Sequence, residues 1–137
     1  MIDPSATTLR RRSNELQIAG HRQLETDPDS GALLLFYAAE CALKALYMQR
    51  NNLKNTDDAR GGVSSARSYV HYLLRLIGAL NIPRASVKVP PPIILSRSGI
   101  SINISDTHQA WRYGEKINDT SVICEWLNSI IEWCRGK

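Results

Sequence analysis

The chain has 137 residues, of which 43% are hydrophobic and 22% are charged, and its formal net charge is +4. This composition is typical of one ordinary globular domain and disfavours a disordered chain or a membrane protein. The small positive charge permits a partner that carries phosphate groups without requiring one.

The cysteines predict thiols in a core rather than a metal or redox site. Cys41, Cys124 and Cys134 are odd in number and match no ligand or redox spacing, and the histidines are far apart. The N-terminal segment has no apolar run after its charges, so no secretory signal is predicted. We therefore expect a cytoplasmic protein without a cofactor.

Two helices are predicted in the first 50 residues. A thin apolar stripe predicts the first helix over residues 5–25, and "TDPDSG" then supplies turn and cap chemistry, with Pro28 ending one segment. The second helix is predicted over residues 31–50. Because its apolar residues surround the helix axis, it should be the most buried element.

Residues 32–48 approach the length of a membrane span, but they carry Glu40 and Lys44 near the centre. A charge at that depth costs about 2.5 to 3.5 kcal/mol in a membrane. A buried helix of a globular protein is favoured instead, so no membrane partner is expected.

A third helix is predicted over residues 64–80. Arg67, His71 and Arg75 recur every four residues, which would place them in one basic line on its polar side. This line either holds a phosphate group, as guanidinium groups do well, or is an ordinary solvated helix face. His71 is alternatively a packed histidine that faces Glu40.

The region after the third helix is predicted to be irregular, since residues 81–106 contain four prolines. A connection of this length either covers a site or an interface or is loosely ordered. A short helix stopped at Gly114 and a last helix from residue 119 or 120 to residue 135 follow. The whole chain, residues 1–137, therefore predicts a single all-α domain, a bundle of four to five helices with a long Pro-rich crossover.

Glu40 and Lys44 stand one helical turn apart in the most apolar segment of the chain. They form either the only solvated strip of a buried helix, or a pair that meets partners across the bundle. The available cationic partners in neighbouring segments are Arg67, His71 and Arg112.

The same residues carry a family resemblance. "AAECALKAL" at residues 38–46, "HYL" at residues 71–73 and "WRYGEK" at residues 111–116, followed by a terminal amphipathic helix, resemble the HEPN superfamily (higher eukaryote and prokaryote nucleotide-binding domain). The resemblance implies a homodimeric four-helix module that binds a partner protein, a nucleotide or RNA. It also implies a role in a prokaryotic toxin–antitoxin, defence or accessory system.

The chain departs from the ribonucleases of that superfamily, which carry an Arg, four to six residues and then a His. None of His21, His71 and His108 follows an Arg at that spacing, and Arg67 and His71 are too close by one residue. A non-catalytic member is therefore favoured. The alternatives are a metal-independent ribonuclease, with His71 as acid or base and Arg67 and Arg112 as phosphate clamps, and a purely structural interaction protein.

Two further segments carry alternatives. "HQAWRYGEK" interleaves aromatic and basic groups as nucleic-acid surfaces do, but Trp111 and Tyr113 could equally close the end of the bundle or a dimer seam. Three arginines at residues 10–12 form a solvated helix face or contact phosphate. The candidate residues for binding a ligand or phosphate are Glu40, Lys44, Arg67, His71, Arg75, Arg112 and Tyr113.

Overall fold

A computed structural model describes residues 2–137 and places five α-helices in this part of the chain. No strand is present in the described range, where three isolated β-bridges are the only extended pairings. The all-α helical bundle predicted from the sequence is thus confirmed. The helices are α1 (Ala6–Leu24), α2 (Pro28–Arg50), α3 (Leu73–Ala79), α4 (Thr107–Arg112) and α5 (Thr120–Arg135), with 3₁₀ turns at Ala66–Tyr69 and Ile104–Asp106.

The first two helices form an antiparallel pair with capped N-termini. The Ser5 side chain accepts a hydrogen bond from the Thr8 amide, and the Asp27 side chain accepts one from the Ser30 amide. Pro28 is the first residue of α2, so this helix begins three residues before the predicted start. Proline suits that position because its φ is already helical and it lacks an amide hydrogen that would have no partner there.

α2 is the central element and contacts each of the other four α-helices. Its apolar side chains face neighbours on every side, and Leu35, Phe36, Leu43 and Met48 are completely buried. It is the one helix in residues 2–137 that is long and apolar enough to cross a membrane, and 72% of its most apolar stretch is buried inside the fold. The core helix of a globular fold can be equally long and apolar, and this degree of burial is typical of one.

The predicted third helix is broken in two. Residues 66–69 form a 3₁₀ turn, Val70 has a positive φ of 50°, and α3 begins only at Leu73. A β-branched residue in this region of φ interrupts a right-handed helix. The single basic line predicted for Arg67, His71 and Arg75 is therefore wrong, because the chain changes direction between them.

Residues 81–103 contain no helix but are fixed to the bundle by hydrogen bonds. The Trp126 indole of α5 donates to the backbone carbonyl of Lys88 at 2.7 Å, and within the segment the Ile102 amide donates to the Ile93 carbonyl at 2.9 Å. Val87 and Ile93 are buried. This segment therefore contributes apolar side chains to the core.

Two glycines let α1 and α2 approach closely. A methyl group added at Gly31 would lie 2.7 Å from the Leu24 amide nitrogen and 2.8 Å from the Gly20 carbonyl oxygen. Neither backbone atom can move without shifting a helix. A methyl group added at Gly78 of α3 would meet nothing within 4 Å.

Gly31 and Gly78 make a matched pair of tests, because an added methyl group is crowded at the first position and has free space at the second. We expect Gly31→Ala to lower the free energy of unfolding by about 1 to 3 kcal/mol through overpacking. Gly78→Ala should be neutral or raise it by up to about 1 kcal/mol, because alanine favours the helix. Urea unfolding of both variants measures the difference, and equal effects would contradict the close packing at Gly31.

Candidate functional site at the Glu40 cleft

An open cleft of about 500 Å³ lies where α1, α2 and the 3₁₀ turn before α3 meet. We call it the Glu40 cleft. Apolar side chains from α1 form one wall, and polar side chains from α2 and the turn form the other. Its lining residues are Pro4, Leu9, Arg12, Leu16, Tyr37, Glu40, Cys41, Lys44, Thr56, Arg67 and His71.

The Glu40 carboxylate accepts hydrogen bonds from two side chains, one at each oxygen. Lys44 Nζ lies 2.7 Å from Oε2, and His71 Nδ1 lies 2.9 Å from Oε1. Because a carboxylate only accepts hydrogen bonds, Nδ1 of His71 carries the hydrogen in this arrangement. The other ring nitrogen of His71, Nε2, makes no hydrogen bond to residues 2–137.

Burial explains why Glu40 has two partners. Its side chain is only 10% exposed, and a carboxylate removed from water costs several kcal/mol unless it is paired. The pair with Lys44 is intrahelical, whereas the pair with His71 crosses from α2 to the turn before α3. The structure therefore favours the interpretation in which Glu40 meets a partner across the bundle over that of a solvated strip. The partner is His71. The other two candidates, Arg67 and Arg112, are bound to other residues.

Behind His71 lies a second histidine, His108 of α4, with a ring-centroid separation of 4.3 Å. The His108 ring stacks on Phe36 at 5.0 Å and is only 3% exposed. Its Nδ1 has no hydrogen-bond partner among residues 2–137. Burial lowers the pKa of His108, the charge on His71 lowers it further, and the Ser105 backbone acts in the opposite direction.

The arginines of the cleft are held to different degrees. Arg67 is bound by Asp3 and by Asp57, whose Oδ1 lies 2.8 Å from Nη1. Within residues 2–137, the one hydrogen-bond or ion-pair partner of the Arg12 side chain is Glu15, at 3.5 Å, and both of these side chains are more than half exposed. Such a pair contributes little and opens readily, so Arg12 is the more available cation.

Three of the predicted site residues lie outside the cleft. Arg75 stacks its guanidinium on the Tyr72 ring at 4.6 Å and lines a separate pocket beside the second 3₁₀ turn. Arg112 donates a hydrogen bond to the Tyr37 hydroxyl from the α4 side, and Tyr113 beside it is 75% exposed. Of the seven predicted residues, the cleft thus brings together Glu40, Lys44, Arg67 and His71.

Sequence reasoning missed Tyr37, Cys41 and His108 as members of this region. Tyr37 lies about one helical turn before Glu40, and Cys41 is the residue after Glu40. Helical spacing alone could therefore have placed both residues near Glu40. His108 carries no such signal, because its position depends on how α4 packs on α2. The Cys41 thiol is not activated here, since burial and, to a smaller extent, the Glu40 charge together raise its pKa to about 11.

In residues 2–137, no group of three or more His, Cys, Asp or Glu side chains is arranged to hold a metal ion. Comparison with protein-family models, with curated proteins and with solved structures finds no match to this chain.

A pH titration of stability tests the burial of His108. Because its folded pKa is below the usual 6.5, the unfolded chain binds more protons at this residue below that pH. We expect the free energy of unfolding to fall as the pH drops below about 6.5, and the fall to be shallower in His108→Phe, which keeps an aromatic ring on Phe36.

The measurement is urea unfolding between pH 5 and pH 8. His21→Gln is the control, because His21 is exposed on α1 and should leave the pH dependence unchanged. An unaltered slope in His108→Phe would show that this histidine does not titrate differently in the fold.

Proposed function

We propose that this chain is a non-catalytic, HEPN-like homodimeric module that binds RNA or a nucleotide through phosphate groups in the Glu40 cleft. One observation carries the proposal: Arg12, Lys44, Arg67 and His71 line a single open cleft against one carboxylate, Glu40. Guanidinium and ammonium groups are the usual protein partners of phosphate oxygens. The homodimer and the setting in a prokaryotic toxin–antitoxin, defence or accessory system rest on the resemblance.

The lining of the cleft presents basic side chains to an anion. Arg12, Lys44 and Arg67 line it together with one carboxylate, Glu40, whereas the carboxylates that pair with Arg12 and Arg67, namely Glu15, Asp3 and Asp57, lie outside the lining. Glu40 occupies one donor of the Lys44 ammonium group, which leaves two donors for a ligand. Arg12 would lose only its weak, exposed contact with Glu15 on binding a ligand. The His71 ring is a further polar group in the lining.

A binding role is favoured over catalysis because acid–base cleavage of RNA uses two proton-transfer groups that reach the substrate. Histidine is a residue type that often does that work, and His71 is the one histidine among the lining residues, with a side chain that is 38% exposed. His108 packs against it at an angle of 46° between the rings, but it is buried and does not line the cleft. The cleft therefore presents one histidine rather than two.

RNA binding by Lys44 variants tests the proposal. Lys44→Gln keeps a donor for Glu40 but removes the charge, so we expect weaker retention of single-stranded RNA. Loss of one phosphate contact should also reduce the slope of log K against log salt by about 0.7. Fluorescence anisotropy across a salt series in chelator measures both quantities.

Lys54→Gln is the matched control, because Lys54 is exposed and does not line the cleft. It should leave affinity and slope nearly unchanged, and circular dichroism checks that both variants fold. Binding that is insensitive to Lys44→Gln would contradict the cleft. Absence of RNA or nucleotide binding would favour the purely structural role, with a protein as partner.

The hydrogen bond from His71 to Glu40 favours a second candidate function, a metal-independent ribonuclease with a displaced site. A carboxylate that fixes one nitrogen of an imidazole and leaves the other facing a cleft is how many enzymes orient a general base. Lys44, and Arg67 after release from its aspartates, would then stabilise the phosphate. The sequence-based role of Arg112 as a clamp is less favoured, since Arg112 does not line the cleft and its guanidinium is bound to the Tyr37 hydroxyl.

Cleavage in chelator decides between the two functions. If the chain is a ribonuclease, wild-type protein cleaves RNA and His71→Ala does not, whereas His21→Ala retains wild-type activity because His21 lies on an exposed face of α1. Product analysis by gel electrophoresis is the measurement. Intact RNA with all three proteins supports the binding module, and cleavage that persists in His71→Ala rejects His71 as the catalytic group.

A further inference from the structure

A second, smaller cavity lies on the other side of α1, between α1, α2 and α5. Its volume is about 120 Å³, and its floor is buried. We call it the Arg10–Arg135 pocket, after the two arginines at its rim. The lining residues are Arg10, Ser13, Asn14, Ala42, Ile131, Cys134 and Arg135.

Neutral acceptors hold both arginines in place. Arg10 donates to the side-chain oxygen of Gln49 at the end of α2. Arg135 donates to the side-chain oxygens of Gln17 and Asn14 on α1. An amide acceptor fixes a guanidinium group without cancelling its charge, so the remaining N–H donors stay available to an anion.

The pocket has an excess of positive charge. Arg10 has no carboxylate within 4 Å among the residues that the structure describes, and Arg135 has one, Glu132, whose side chain is more than half exposed. Cys134 in the floor does not supply a counter-charge, because burial raises the pKa of its thiol to about 12. Arg50, next to Gln49, adds a further guanidinium nearby, over the ring of Trp133 at 5.5 Å.

Helix dipoles stabilise two of these three cations. Arg135 and Arg50 lie in the last turns of α5 and α2, where cations are stabilised by the partial negative charge of a helix C-terminus. Arg10 lies near the start of its own helix, where a cation gains no such stabilisation. Its charge beside this pocket is the feature that an anionic ligand would explain.

We propose that the Arg10–Arg135 pocket binds a phosphate group. A site for one water needs about 10 to 15 Å³ of accessible volume, so a pocket of about 120 Å³ has room for a tetrahedral oxyanion. Arg10 and Arg135 would donate from opposite sides. The side-chain amide of Asn14 already accepts from Arg135 through its oxygen, and its nitrogen would supply a neutral donor to the phosphate.

The pocket is separate from the Glu40 cleft. Arg10 and Arg12 are two residues apart on α1 and so point to different sides of the helix, one into each cavity. The phosphate could belong to a free phosphate ion or to a nucleic-acid backbone, since both present the same oxygens. If the backbone is the source, a strand that binds the cleft could continue around α1.

Arginine side-chain NMR tests the pocket directly. The Nε–Hε signals of Arg10 and Arg135 are followed in ¹⁵N-labelled full-length chain while inorganic phosphate is added. We expect saturable shifts of both signals at millimolar phosphate. Arg10→Gln should weaken this response at Arg135 about ten-fold or more, since one charge-assisted contact is lost.

Arg11→Gln is the matched control, because it removes the same charge from the neighbouring exposed position, which lines neither cavity. It should change the affinity by less than about two-fold, as a mere change in net charge would at moderate salt. Absence of a saturable shift, or equal losses in Arg10→Gln and Arg11→Gln, overturns the proposal.

A second titration uses a short single-stranded RNA in place of phosphate. Shifts of the same two signals at lower concentration assign the phosphate to a nucleic-acid backbone, whereas a response to phosphate alone assigns it to a free ion. Both outcomes support the pocket. Lys44→Gln should leave the phosphate response intact, so failure of the Glu40 cleft and failure of this pocket can be told apart.

Discussion

The local structure around the cleft depends on one buried charge, the Glu40 carboxylate in the central helix. A side chain that is 10% exposed cannot rely on water, so its ionised form requires cations at fixed positions. Lys44 comes from the same helix and needs no tertiary structure. His71 must be delivered by another segment, and this requirement ties the turn before α3 to α2.

That requirement gives a physical reason for the break in the third helix. A continuous helix would carry Arg67, His71 and Arg75 on one face, whereas the reversal at Val70 leaves Arg67 with its aspartates, turns His71 to Glu40 and sends Arg75 onto Tyr72. Val70 adopts a positive φ that costs a β-branched residue about 1 to 3 kcal/mol. A strained conformation of this kind persists where surrounding contacts fix it, and the Glu40–His71 hydrogen bond is one of those contacts.

α1 is the element that relates the two candidate binding sites. Gly20 and Gly31 bring its C-terminal half against the start of α2, and its N-terminal half separates the Glu40 cleft from the Arg10–Arg135 pocket. Arginines that look like one basic cluster in the sequence therefore serve different cavities. A phosphate-bearing chain is the kind of ligand that could use both, and this agrees with the function proposed from the HEPN resemblance.

The sequence by itself determined the helical class, the central position of α2, and the ends of α1 and α5 to within a residue or two, because helical periodicity and capping residues are local signals. It also determined the Glu40–Lys44 pair, which is set by spacing within one helix. Only the tertiary structure decided that Val70 breaks the third helix, that His108 lies behind His71, and that Arg10 and Arg12 face separate cavities. These features depend on contacts between residues far apart in the chain, where burial and charge pairing outweigh local preference.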